Sequence, residues 1–299
     1  MPKIVQLFSL KQFFFVPLPQ RNLFRVGSIC DMTRKVLFIS QEISPYTPDN
    51  EMALMGRQVP QLFQEGGCEI RTFMPKWGIV HERRGQLHEV IRLSGMNLII
   101  DDTDHPLIIK VATIQGTRVQ VYFIDNDDYF SKRLITCDEN GNDYEDNGEK
   151  AIFFARGTLE TVKKLRWVPD AIFCSGIMAA IVPMYIKTAY SDEPSYSTAK
   201  IITMLFSNSL HSPFEASFKK SLEFRSVKAS TLKKYAPVFD YAELQKIAID
   251  FSDALIIGSA ALEPEIIAYA EASGKPLLKY VGESYKETYP DFLDNLLVT

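Results

Sequence analysis

Short apolar runs that alternate with stretches of helical periodicity constrain this chain more than any other feature. Residues 35–40 (KVLFIS) are almost continuously apolar, the pattern of a parallel strand covered on both faces. In residues 51–65, Met52, Met55, Val59, Leu62 and Phe63 share one face at helical spacing, Pro60 is placed to kink the helix, and Gly66 and Gly67 supply a stop. Residues 68–74 (CEIRTFM) then read as a second parallel strand, so the chain opens as a β-α-β unit. The alternation resumes with a helix over 150–167, a strand over 170–175 and a helix over 176–188. It continues with strands over 200–206, 254–258 and 276–281 and helices over 241–251 and 264–272. This order predicts an α/β fold: a doubly wound, mostly parallel Rossmann-like sheet with helices on both faces.

Between residues 87 and 124 the texture changes to short extended runs, LHEVIRL, NLIID, LIIKVATI and RVQVYFI, whose alternation predicts antiparallel strands added at the sheet edge. Residues 138–149 (DENGNDYEDNGE) are acidic and rich in Asn and Gly; the ligand order and closing Glu of a calcium loop are absent, so the stretch reads as a surface loop.

Residues 1–31 stand apart. They carry Lys3, Lys11, Arg21 and Arg25 and no acid before Asp31, which resembles an export signal, but Lys11 interrupts the apolar run, Pro17 and Pro19 end it, and no small-residue cleavage site follows. The run is also too short and broken to span a bilayer. Met32-Thr33-Arg34-Lys35 directly before the first strand has the form of a natural start, so an over-long gene model is favoured over a disordered tail or a targeting segment. No internal repeat or Gly/Ser linker follows, which leaves one domain over residues 33–299.

Composition narrows the function classes. Hydrophobic residues at 46% and charged residues at 23% fit a globular chain with a core to bury, and set disordered, collagen-like and coiled-coil classes aside. The net charge is −4, and without the four basic residues and one acid of the first 31 it is nearer −7, so no broad basic surface awaits nucleic acid. Cys30, Cys68, Cys137 and Cys174 lack paired spacing and share no ligand pattern with the four His, so neither a disulfide framework nor a metal site is expected. Free Cys behaving as small hydrophobes points to the cytoplasm. No Walker loop and no G-x-S-x-G is present, and no cofactor is expected. His211, in SNSLHSP, follows a strand end, where open α/β sheets place ligands, but a lone His reads as structural.

Several runs resemble the N-terminal half of bacterial glycogen/starch synthases, retaining GT-B glycosyltransferases with two facing Rossmann-like domains. They are VLFISQEISPY, EIRTFMPKWG, VYFIDNDDYF, the DNGEKAIFFARGTLETVKKLRWVPD block and PMYIKT, in the right order from residue 35 to 188, with a more diverged match in FSDALIIGSAALEPEI. The resemblance implies one half of a GT-B fold, and a family reaction that moves glucose from ADP-glucose to an α-1,4-glucan.

The functional motifs of that family depart here. Where the family carries K-T-G-G-L, this chain has Pro48, Asp49, Asn50, Glu51 and Met52. Glycines let a backbone approach a diphosphate and Lys neutralises it, whereas two carboxylates in the same loop repel it. The family's H-x-H-D-W-H cluster falls on residues 173–178, so Ser175 stands at the expected catalytic His position, and a hydroxyl cannot carry an imidazole's proton or charge. The family's donor-binding C-terminal half also lies beyond the matched residues, and half a cleft cannot close on donor and acceptor.

The expectation is therefore a synthase-like domain with no catalytic residue of its own, impaired or inactive alone, that binds α-glucan or a partner chain and touches neither nucleic acid nor membrane. Glu42, Tyr46, Asp125, Asn126, Tyr129 and Asn208, in the loops after the strands, are the candidate substrate-binding residues because they can hydrogen-bond to or stack on sugar rings. Paired-carboxylate hydrolysis by Glu42 with Asp125, Asp127 and Asp128 is the weaker reading of the same acids. The alternatives are an active glucosyltransferase completed by a separate donor-binding chain, and a Rossmann-like binder of small molecules unrelated to glucans.

Overall fold

The computed structural model describes residues 33–298 apart from 101, 208 and 209; the expectations for residues 1–31 and for Asn208 lie outside the described residues. The chain runs β1 (Lys35–Ser40), α1 (Glu51–Glu65), β2 (Glu69–Pro75), the single turn α2 (Glu82–Gly85), β3 (His88–Glu89), β4 (Met96–Ile100), β5 (Thr103–Thr113) and β6 (Gln120–Asp125). Then come α3 (Asn147–Lys164), β7 (Ala171–Ser175), α4 (Val182–Lys187), β8 (Lys200–Leu205), α5 (Phe218–Ser221) and α6 (Ala229–Leu232). The rest is α7 (Tyr241–Phe251), β9 (Ala254–Ile257), α8 (Pro264–Ala272), β10 (Leu277–Leu278) and α9 (Tyr285–Val298).

The strands form one sheet in the order β10-β9-β8-β7-β1-β2-β6-β5-β3, with β4 paired to β5. Every pairing from β10 to β6 is parallel, and β5, β3 and β4 are antiparallel additions at one edge. This is the doubly wound sheet with an antiparallel edge that the alternation predicts. One detail differs: RVQVYFI is β6, a parallel strand inside the sheet, and only the three runs before it form the edge. Val121, Tyr122, Phe123 and Ile124 are all buried, on both faces of the strand, so alternation in the sequence did not mean an edge position.

The central strands are apolar throughout because each face meets its own core. Along β1, Leu37 and Ile39 pack in a large cluster with residues of α3, α4, α7 and α8, while Val36 and Phe38 pack in a second one with α1 and α9. The same two-residue period divides Ile172 and Cys174 from Ala171 and Phe173 on β7. Phe38 stacks on Phe173 with centroids 4.9 Å apart, and Phe63 of α1 closes over both. On α9, Tyr285, Tyr289, Leu293 and Leu296 are buried in that second core.

Helix α1 has the expected bounds, and so do α7 and α8. Residues 176–188 hold a 3-10 turn at Ile177–Ala179 and then α4, separate rather than continuous, with Pro183 in the first turn of α4, where its missing N–H costs no helical bond. The last strand shrinks to Leu277–Leu278, and α9 has no counterpart in the sequence expectation. Among the described residues no helix is long and apolar enough to cross a membrane.

Candidate functional site

Open α/β sheets bind ligands beyond the carboxyl ends of their strands, so the loops after β1, β2, β6 and β7 frame the site. The loop after β1 begins with Gln41 and Glu42, both buried. Gln41 is bonded at several points: its backbone amide donates to the Ser175 carbonyl at 3.1 Å, its carbonyl accepts the Trp77 indole N–H at 2.8 Å, and its side-chain Oε1 accepts the Met178 amide at 3.3 Å. Gln41 Nε2 also donates to Glu42 Oε1 at 3.0 Å. The other carboxylate oxygen of Glu42 accepts from Asn50 Nδ2 at 2.6 Å. Burial holds the Glu42 carboxyl above its ordinary range, against the lowering effect of those two hydrogen bonds.

Asn50 is also the N-cap of α1, its Oδ1 accepting the Ala53 amide at 2.8 Å, and Glu51 puts a carboxylate in the first helical turn. Asp49 accepts from the Ser44 hydroxyl at 2.7 Å. The side chains of Asp49 and Asn50 are thus bonded within the loop and its helix cap.

Ser175 ends β7 opposite Ser40 of β1 and Met204 of β8, with 6% of its surface exposed. The next residue, Gly176, has φ +85°, and a Cβ there would lie 2.5 Å from Gln41 Cβ, so only glycine makes this turn. The segment packs the ends of the neighbouring parallel strands β1 and β7 together.

The loop after β6 divides the remaining candidates. Asp125 is 1% exposed; Lys110 Nζ lies 2.7 Å from its Oδ2, and its Oδ1 has no hydrogen-bond partner among the described residues. Burial raises the Asp125 pKa, and Lys110 opposes the shift. Asn126 is spent on the turn: Oδ1 accepts the amides of Asp128 and Tyr129 at 3.0 and 3.1 Å, and Nδ2 donates to the Pro106 carbonyl at 3.0 Å. Tyr129 is buried against His105 and Phe153, and its hydroxyl donates to Glu149 Oε2 at 2.8 Å and lies 2.9 Å from His105 Nε2. Tyr46, in the loop between β1 and α1, packs edge-on against Phe123 and lines a cavity of about 220 Å³; burial pushes its phenol up to about 12.

The structure therefore gathers Glu42 with Asn50 and Gln41 beside Ser175, and places Asp125, Asn126 and Tyr129 on the next loop in internal bonds of their own. His211 is exposed at the surface, its amide and that of Ser212 held by the Asp143 carboxylate. Gln41, Asn50, Trp77 and Gly176, which organise the loop ends, were not among the candidates; the P-K-W-G run after β2 was the available signal for Trp77. Among the described residues no cluster of His, Cys, Asp or Glu is placed to hold a metal.

The family profile described as "Starch synthase catalytic domain" matches residues 35–279. The chain belongs to the starch synthase catalytic domain family. Curated relatives include the glycogen synthases of Chlorobium limicola and Chlorobium luteolum, each 37% identical over 169 residues, which is 56% of this chain and 35% of theirs. The glycogen synthase of Chlorobaculum tepidum is 35% identical over a stretch of the same length and coverage. Among solved structures, the catalytic domain of starch synthase IV from Arabidopsis thaliana, bound to ADP and acarbose, superposes with a TM-score of 0.68 at 16% identity, over 84% of this chain and 52% of that one. That likeness is one of fold, and it makes the sheet described above one half of the starch synthase architecture. The matched stretch spans about a third of the length of these curated relatives.

Proposed function

We propose that residues 33–299 are a starch-synthase acceptor-side domain that binds α-glucan and does not by itself transfer glucose. The observation that supports this is the filling of the backbone amides at the carboxyl edge of the sheet by the chain's own side chains. Asn50 takes the Ala53 amide at the start of α1, Gln41 takes the Met178 amide after β7, and Glu215 takes the Gly148 amide at the start of α3. A diphosphate seated there needs free amides and a neighbouring cation. Here it meets Glu51 and Glu215 carboxylates instead. Ser175, at the place of the family's His, adds no acid-base group.

The second reading, a glucosyltransferase whose donor-binding half is supplied by another segment or chain, draws on the likeness to a catalytic domain solved with ADP and acarbose. Free Cys68, Cys137 and Cys174 fit a reducing compartment, and the cytoplasm is the proposed location.

The test is made on the purified full chain. Glycogen should pull a saturable fraction of it into the pellet on ultracentrifugation, and incubation with ADP-glucose and a malto-oligosaccharide should release no ADP above the protein-free control. Turnover by the chain alone would defeat the proposal, and so would failure to sediment with glycogen. ADP release that begins only when cell lysate is added would favour the second reading.

A further inference from the structure

The cavity beside Tyr46 has a charge pattern that the surroundings of Ser175 and residues 48–51 lack. It is lined by Pro45 and Tyr46 from the loop after β1, His81 and Arg84 from around α2, and Thr113 and Gln115 from the end of β5. Arg57 of α1 reaches its rim, with Nη2 3.4 Å from the Gln115 carbonyl, and its charge is felt at the Tyr46 phenol. Arg83 is the neighbour of Arg84 on the same short turn.

The acid of that turn is not available to these cations. Glu82 Oε1 lies 2.7 Å from Lys110 Nζ and 3.1 Å from Lys76 Nζ, and its pKa is lowered, first by the Lys110 hydrogen bond. Two buried or half-buried lysines thus absorb Glu82 and fix α2, while Arg57, His81 and Arg84 make no ion pair among the described residues. In a chain whose net charge is −4, a cavity with two unpaired guanidinium groups at its rim is a local reversal of sign. The Tyr46 hydroxyl is likewise without a hydrogen bond among the described residues, and the Thr113 and Gln115 side chains add neutral polar groups to the wall.

Guanidinium groups favour oxyanions that accept several N–H donors at once. At about 220 Å³ the cavity is smaller than the roughly 300–1,000 Å³ of sites for drug-sized ligands, and it suits a group the size of one sugar ring or less. We infer that this cavity is a binding site for a phosphoryl group, free or carried on a monosaccharide, with Arg84 and Arg57 as its anion-binding residues. Ser175 is not among the residues that line it.

The experiment is titration of the full chain by isothermal calorimetry and thermal shift with inorganic phosphate, glucose 6-phosphate and glucose, at constant ionic strength set with chloride. Saturable binding of at least one phosphate probe, absent for glucose, is expected, weakened about tenfold or more in Arg84→Gln. Arg84 is exposed, so this variant should keep the fold; Arg84→Lys, which keeps charge but loses the fork, should retain part of the affinity. A tighter fit for glucose 6-phosphate assigns the rest of the cavity to the sugar, and equal affinities assign it to free phosphate. No saturable binding of either phosphate at millimolar concentration, or binding that Arg84→Gln leaves unchanged, would overturn the inference.

Discussion

Glu215 Oε2 accepts the backbone amide of Gly148 at 3.0 Å, a bond that joins positions 67 residues apart and caps α3 from outside its own sequence. The N-cap residue, Asp146, makes no side-chain capping bond, because its carboxylate faces Arg133 and Lys150. The helix therefore borrows its cap from the loop after β8. Replacing Glu215 with Ala should lower unfolding free energy by about 1–2 kcal/mol, the usual cost of losing a cap. Urea unfolding followed by circular dichroism measures it.

The same carboxylate predicts a pH effect. Burial raises the Glu215 pKa above 4.5, with the backbone bonds opposing it. The folded state then holds its proton more tightly than the unfolded chain, so this group's contribution is fully present below pH 4.5 and is lost as pH rises through the folded value. Glu215→Gln, which cannot ionise, should lack that component. The difference in Tm between wild type and Glu215→Gln should shift in favour of wild type as pH falls from 7 toward 4.5.

Lys150 gives the opposite sign. It is fully buried on α3, bonded to Asp146 at 2.8 Å and to Asn147, and burial brings its pKa down to about 8 from 10.5. Between those values the unfolded chain binds more protons than the folded one, so stability from this group grows as pH rises from 8 toward 10.5 and is lost as pH falls through 8. Over the whole window the effect is on the order of 3 kcal/mol. Lys150→Met should abolish it, seen as a flatter Tm-against-pH curve over pH 8–10 than the wild type's.

How much of this was legible follows from the range of the interactions. Helices α1, α7 and α8 were readable because caps and periodicity are local: Asn50 and Asp240 cap α1 and α7 from the adjacent position, and Pro264 opens α8. Helix α9 was not, because Pro290 interrupts its pattern and its apolar side is defined by α1, more than 200 residues earlier, as in the bond from the Tyr285 hydroxyl to Gln58 at 3.0 Å. The candidate site suffered the same limit. Asp125 and Tyr129 look like free loop polar groups in sequence, and only folding supplies Lys110 and Glu149 as their partners. Ser175 and residues 48–52 stand out in the sequence only through the resemblance, and nothing local shows that Gln41 accepts the Met178 amide and Asn50 the Ala53 amide.

Gly176 offers a backbone test. With φ +85° and a would-be Cβ 2.5 Å from Gln41 Cβ and 3.0 Å from Met52 Sδ, alanine must both strain the turn and push β1's exit loop aside. Gly176→Ala should cost about 2–4 kcal/mol, with the urea midpoint lowered and the m-value unchanged. A variant as stable as wild type would mean that the turn after β7 repacks freely and that Gln41 does not hold it.

The pair Asn50 and Glu42 ties the loop's chemistry to its stability. Asn50→Ala removes the cap on the Ala53 amide and also the 2.6 Å donor to a buried carboxylate whose pKa burial has already raised. The loss of both bonds should cost about 2–3 kcal/mol near neutral pH, and less near pH 4.5, where Glu42 in the folded state takes up a proton and no longer needs the donor. Adding Glu42→Gln to Asn50→Ala removes the stranded charge, so the double variant should be more stable at pH 7 than Asn50→Ala alone and should lose most of the pH dependence. Urea titrations of the four proteins at pH 4.5 and 7 complete the cycle. If the single and double variants unfold at the same midpoint at both pH values, the Asn50 bond does not stabilise the Glu42 charge, and the loop after β1 is held by Gln41 and Trp77 instead.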